Sequence, residues 1–129
     1  PLTYALGKPE IEGRFHYTDD IQHLNFVRKQ TTLRSLLELL LAEKLSPTGY
    51  ALAAQDVALH NCLPAFSHVH AMPLFPDAVL PRMWICDEVK VATHNDDELE
   101  NIACVAPGRR QFILFPPEAV ADLYMGPFG

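Results

Sequence analysis

Cysteine is scarce in this chain. Cys62, Cys86 and Cys104 are odd in number and show no C-x-x-C spacing. A disulfide scaffold and a zinc knuckle are thereby disfavoured, and a reduced, cytoplasmic setting is expected. Long apolar runs are also missing. The leucine-rich stretch near position 40 is broken by Arg34, Glu38 and Glu43, so no segment reaches transmembrane length and none reads as a signal peptide. Positive charge is in deficit: 10 Lys and Arg stand against 16 Asp and Glu, a net charge of -6. That balance argues against a general nucleic-acid binder. There is no internal repeat, low-complexity segment, Ser-His-Asp arrangement or phosphate-binding glycine loop. Asp96, Asp97, Glu98 and Glu100 cluster, but they lack the ligand spacing of an EF-hand, and sequence alone does not set two of them across a glycoside.

What is present suits a globular core: 49% hydrophobic and 20% charged residues in a chain of 129, one domain or part of one. The first residue is Pro1, so a processed, trimmed or partial product is expected. Eleven prolines favour short elements. Residues 1–30 read as an irregular N-terminal segment of short strands and turns. Thr31-Thr32 then offers an N-cap, and Leu33 to Lys44 reads as a helix. Leu33, Leu36, Leu37, Leu40 and Leu41 fall on one face of a 3.6-residue period, to be laid against a sheet. Lys44 near its end suits the helix dipole, and Ser46-Pro47-Thr48-Gly49 ends it.

Strands are expected at Tyr50 to Leu59, Arg82 to Cys86, Val89 to Thr93, Asn101 to Val105 and Gln111 to Phe115. Pro116-Pro117-Glu118 opens a short helix through Tyr124, because proline is tolerated and glutamate favoured in a first turn. The fold class is therefore mostly β, a barrel or sandwich with helical decoration. Trp84 reads as core.

The chemistry centres on His94-Asn95-Asp96. A histidine and a carboxylate two residues apart on a strand share a face, and both can reach one metal ion. Nitrogen plus carboxylate oxygen with open positions is a ligand set of non-haem Fe(II) oxygenases, which needs a second histidine. The competing reading is a solvated acidic loop, Asn95 to Glu100, beside an incidental histidine. His68 and His70 form another same-face pair if extended, but in a proline-rich, apolar setting they read as surface or packing residues.

The flanking residues bear on that choice. Trp84-Ile85, Thr93-His94-Asn95-Asp96, Asn101-Ile102-Ala103-Cys104-Val105, Gly108-Arg109-Arg110, Phe112 to Glu118 and Leu123 to Pro127 occur in the order found in JmjC-like cupin hydroxylases. Gly13-Arg14-Phe15, Leu24-Asn25-Phe26 and Tyr50-Ala51-Leu52 fit as well. Most of the chain thus resembles the JmjC-like cupin family, in particular bacterial cupin-like relatives of the hypoxia-inducible-factor asparaginyl hydroxylase.

The resemblance implies a double-stranded β-helix and an Fe(II)- and 2-oxoglutarate-dependent oxygenase. His94 and Asp96 would be metal ligands, and Arg110 would pair with the distal carboxylate of 2-oxoglutarate through its guanidinium fork. The family often has lysine there, and Arg109 substitutes if the register slips. Thr93 and Tyr50 would place hydroxyls near the same carboxylate. Asn101 would support the metal loop or the co-substrate, or simply cap a turn.

Two departures stand out. Asn101 lies one residue further from His94 than in the family, so either Asp96 or Asp97 can face the metal. The family's second metal histidine lies downstream of the Pro-Pro-Glu segment, past Gly129, so an incomplete domain is expected, or a homodimer covering an open sheet edge. Protein side chains or small molecules are expected as substrates ahead of RNA, with no membrane partner. The alternative is a metal-free or incomplete cupin-like module for binding or assembly. A third possibility is a metal-binding cupin indifferent to 2-oxoglutarate.

Overall fold

The computed structural model describes residues 1–70, 73–74, 76, 78–94 and 100–123. It divides into two compact units, Pro1–Ala92 and Thr93–Gly129.

The first unit is built on β1 (Leu2–Gly7), where Leu2 and Tyr4 alternate inward with period two. β1 is flanked on both sides by antiparallel partners, β3 (Phe26–Thr31) and β4 (Ala51–Ala58), and β5 (Arg82–Cys86) pairs antiparallel with β4. The sheet order is β3-β1-β4-β5. The short strands expected within residues 1–30 include an interior strand and most of an edge strand, so the segment is more regular than its sequence indicates.

Ala51 to Ala54 of β4 are all buried, as an interior strand covered on both faces requires. A bulge interrupts its register with β5 between Ala54 and Val57. There Asp56 takes a positive φ of 54°. Its carboxylate accepts two parallel bonds from Arg82, Nε to Oδ1 at 2.5 Å and Nη2 to Oδ2 at 2.6 Å. This fork holds the Asp56 carboxyl below its usual range and the guanidinium above its own.

Helix α1 (Leu33–Leu45) starts where the sequence indicates. The Thr32 hydroxyl accepts from the Ser35 N–H at 3.2 Å. Leu36 is fully buried against Leu2, Tyr4, Leu52, Ala54 and Val57, with Leu33 and Leu40 packed beside it. The buried stripe is narrower than the expected five-leucine face: Leu37 is 49% exposed and Leu41 57%. A helix resting on a sheet through one ridge leaves its flanking positions in water.

On β5, Met83 and Ile85 pack toward the core while Trp84 stands on the other face, 48% exposed, so it is not a core residue. The expected Val89–Thr93 strand shortens to β6 (Lys90–Val91), which pairs in parallel with β2 (Arg14–Phe15). The connection after β4 contains two four-residue helices, α2 (Leu59–Cys62) and α3 (Phe66–Val69).

In the second unit no strand occurs among the described residues. The segments expected as strands, 101–105 and 111–115, have none of the ladder hydrogen bonds that define one. Apolar, β-favouring composition does not make a strand without a partner to pair with. Pro107 and Gly108 form the expected bend, with Gly108 at φ +88°. A 3-10 helix, Pro117–Asp122, has proline in its first turn and Glu118 beside it. The chain is mostly β, with a four-stranded antiparallel sheet and, among the described residues, one long helix, as its sequence indicates.

Candidate functional site

Tyr50 stands immediately before β4, exposed, and its approach is fixed by Glu43 on the last turns of α1. The Glu43 carboxylate accepts three bonds: from the Thr48 N–H at 2.6 Å, the Thr48 hydroxyl at 2.6 Å and the Gly49 N–H at 2.7 Å. These bonds, the Thr48 side chain foremost, hold the carboxyl below its ordinary value. Gly49 takes φ +83° and packs on Pro9. Helix end, turn and strand entry are thus tied together at the residue before Tyr50. In the sequence Glu43 stands out only as a charge that breaks the leucine run; its spacing to Thr48-Gly49 is the signal for this turn.

In the second unit Thr93, His94, Asn101, Arg109 and Arg110 are all exposed, and Asp96 and Asp97 lie outside the described residues. His94, Asn101 and Arg110 each engage in at least one polar, ionic or ring interaction. Arg110 does not begin a strand here, so the strand start that would have aimed its guanidinium inward is missing. His68 lies within α3 and His70 just after it, so neither forms the extended same-face pair. The His70 ring packs on Phe66 at a centroid distance of 4.6 Å. His60, on α2, has a buried Nδ1 with no hydrogen-bond partner among the described residues.

The first unit also has an open cleft of about 560 Å³ around the β2–β6 ladder, lined by Arg14, His16, Asn25, Lys90 and Glu10 together with Ile11, Phe15, Val91 and Ala92. Its frame is tightly bonded. The Lys90 N–H donates to Gly13 O at 2.8 Å, the His16 N–H donates to Asn25 Oδ1 at 2.9 Å, the Asn25 N–H donates to His16 O at 2.9 Å, and Asn25 Nδ2 donates to Arg14 O at 2.8 Å. Gly13 sits at φ +74°, and a Cβ there would fall 2.3 Å from Glu88 O, so only glycine lets the two segments close. Beyond it, Asp20 organises the turn from Thr18 to His23. It accepts from the Thr18 hydroxyl and the Gln22 N–H and pairs with the His23 ring at 3.3 Å, which lowers its carboxyl chiefly through Thr18.

Comparison with known proteins gives one decisive result. The cupin-like domain family matches residues 1–129, the whole chain. The chain belongs to the cupin-like domain family. That family includes Fe(II)- and 2-oxoglutarate-dependent oxygenases. No curated protein and no solved structure matches the chain.

For this cupin-like chain the donor set must be set against the metal its family suggests. Among the described residues no group of three or more His, Cys, Asp or Glu side chains is placed to hold a metal ion. The described residues supply one ligand of the expected set, His94, and by themselves they do not make an iron site. No helix among them is long and apolar enough to cross a membrane.

Proposed function

We propose that this cupin-like chain carries ligands of an Fe(II)- and 2-oxoglutarate-dependent oxygenase. The observation that carries the reading is family membership over the full 129 residues, joined to a His-x-Asp three residues beyond β6. His94 and Asp96 would hold the metal, Asp97 taking the place of Asp96 if the loop is turned by one residue. Iron with 2-oxoglutarate would supply dioxygen chemistry for hydroxylating a C–H bond. The chain's own part would be to bind and orient. Arg110 would grip the distal carboxylate in a two-bond fork, or Arg109 in its place. Thr93 and Tyr50 would donate hydroxyl hydrogen bonds, and Asn101 would steady the loop. The second imidazole is not assigned to any of these residues. The net charge of -6 supports a protein side chain or small molecule as substrate ahead of RNA. Three free thiols, two of them exposed, support a reducing compartment such as the cytoplasm.

The test is the iron content of the purified full chain with and without 2-oxoglutarate. One bound Fe(II) and a charge-transfer band that depends on 2-oxoglutarate are expected. His94→Ala and Asp96→Ala should each lose the metal, and unchanged iron in both sinks the reading. Arg110→Ala should raise the 2-oxoglutarate requirement steeply and spare the metal.

A second reading, a cupin-like module for binding or assembly, is favoured by one observation. Phe112 to Phe115 form a consecutive apolar run that is exposed throughout, Leu114 at 88%. Exposed contiguous apolar surface marks contact sites. A homodimer covering an open sheet edge belongs to this reading. β5 is an edge with Trp84 outward, whereas the other edge, β3, carries Arg28 and Lys29, charges that discourage strand pairing. A chain that binds no iron and elutes as a dimer would favour this second reading over the first.

A further inference from the structure

We infer that the β2–β6 cleft is a binding site for an acidic peptide segment, whose side-chain carboxylate is held between Arg14 and Lys90. The inference is independent of the oxygenase reading and uses none of its residues.

In the parallel ladder Arg14 is the direct partner of Lys90. Directly paired residues lie on the same side of a ladder, so two cations are held side by side on a two-stranded ribbon. Like charges placed opposite one another are unfavourable, and a chain with a net charge of -6 has carboxylates available to relieve them. Yet among the described residues neither Arg14 nor Lys90 has an ion-pair partner, whereas Arg82 and His23 have theirs. Both cations line the same cleft, and His16 lines it beside them.

The cations do not sit on a loose loop. Gly13 and Lys90 are joined through the backbone, and Asn25 bridges to both Arg14 and His16. The positions from which the two side chains project are therefore set before any ligand arrives, which reduces the entropy lost on binding. One carboxylate between a guanidinium fork and an ammonium would relieve the repulsion and accept from both. Glu10 lines the same cleft. A second negative charge on that side is disfavoured, and an N–H donor there is favoured. A carboxylate carried on a peptide, with its own N–H groups, meets both conditions better than a free dicarboxylate.

The experiment is an NMR titration of the full chain, following the amides of Gly13 to His16 and Lys90 to Ala92. The probes are N-acetyl-Gly-Asp-Gly-amide, which carries one carboxylate among peptide N–H groups, and, separately, succinate. The peptide is expected to shift these resonances saturably, less so at high salt, because the pair is exposed and screened. Arg14→Gln and Lys90→Gln should each weaken binding about threefold to fivefold, the scale of one exposed charge pair, while Arg14→Lys retains most of it. Succinate should bind more weakly. If it binds as well as the peptide, the peptide assignment is wrong and the cleft takes free carboxylates. If neither probe moves these resonances, or if both Gln variants respond like the wild type while keeping its dispersed spectrum, the site is refuted.

Discussion

Leu36→Ala should be the most damaging single truncation on helix α1, and neighbouring leucines provide the internal control. Among the described residues Leu36 is the one large side chain with no exposed surface, enclosed by Leu2, Tyr4, Leu52, Ala54 and Val57. Removing three carbons loses about 2.4 kcal/mol of transfer free energy at about 0.8 per methylene group. A cavity term follows, because the strands around Leu36 are fixed by ladders on both sides of β1 and cannot collapse freely. A total of about 3–4 kcal/mol is expected, inside the range of about 2–5 kcal/mol for such truncations. Leu37 loses only about half of its area to the fold and borders water, so Leu37→Ala should cost about 1 kcal/mol and leave no cavity. Leu41→Ala, more exposed still, should cost no more than that. Urea unfolding of the three variants, with equal m-values as the check on two-state behaviour, measures the differences directly. Equal costs for Leu36→Ala and Leu37→Ala would refute the single-ridge packing and restore the five-leucine face.

Gly13→Ala should separate β2 from β6, since left-handed strain and a Cβ pressed on Glu88 O combine there; a cost of roughly 1–3 kcal/mol is expected from unfolding, with loss of the Gly13–Lys90 amide protection. Glu43→Gln should flatten the acid limb of the stability curve. The folded carboxyl lies below its ordinary value of 4.5, so its contribution is complete above that value and is lost as pH falls through the folded value. Urea midpoints between pH 6 and 3 should fall for the wild type and change less for the variant, and parallel curves would show that the three bonds to Glu43 contribute nothing. His60→Phe should raise the unfolding free energy by roughly 1 kcal/mol, because it removes a buried nitrogen left without a partner among the described residues; a fall would mean that His60 is satisfied in solution.

What could be read from the residues divides along a physical line. Helix α1 was legible because period and cap agree locally: Thr32 accepts from the Ser35 N–H, and apolar residues return every three or four positions. β4 and β5 were legible from short apolar runs between turn residues. The position of β1 among the short strands expected in residues 1–30 was not legible, since Ala5 and Gly7 weaken the alternation that Leu2, Tyr4 and Leu6 begin. Its regularity comes from two partners, one reached after 18 intervening residues and one after 43. The segments 101–105 and 111–115 fail in the opposite direction, with strand composition but no ladder. The width of α1's buried face could not be read either, because periodicity gives the direction of an apolar face and the partner's curvature gives its extent.

The candidate site shows the same division. His-x-Asp and Arg-Arg are visible as residue types, but an iron site is defined by where at least three donors converge, and that is a property of pairing between distant segments. The β2–β6 ladder illustrates how such convergence arises. Arg14 and Lys90 are 76 positions apart, yet a two-residue parallel ladder makes them neighbours. What permits that ladder is backbone chemistry at Gly13, whose missing Cβ lets Glu88 O approach, and not any property of the two cations. A binding group of the kind proposed for this chain would therefore be specified twice: by the side chain that carries the charge, and by a glycine or a carboxylate elsewhere that sets the backbone beneath it. Gly13 does this for Arg14 and Lys90, and Glu43 does it for the entry to Tyr50. Substitutions at these supports should disturb binding while the charged or hydroxyl group itself is left intact.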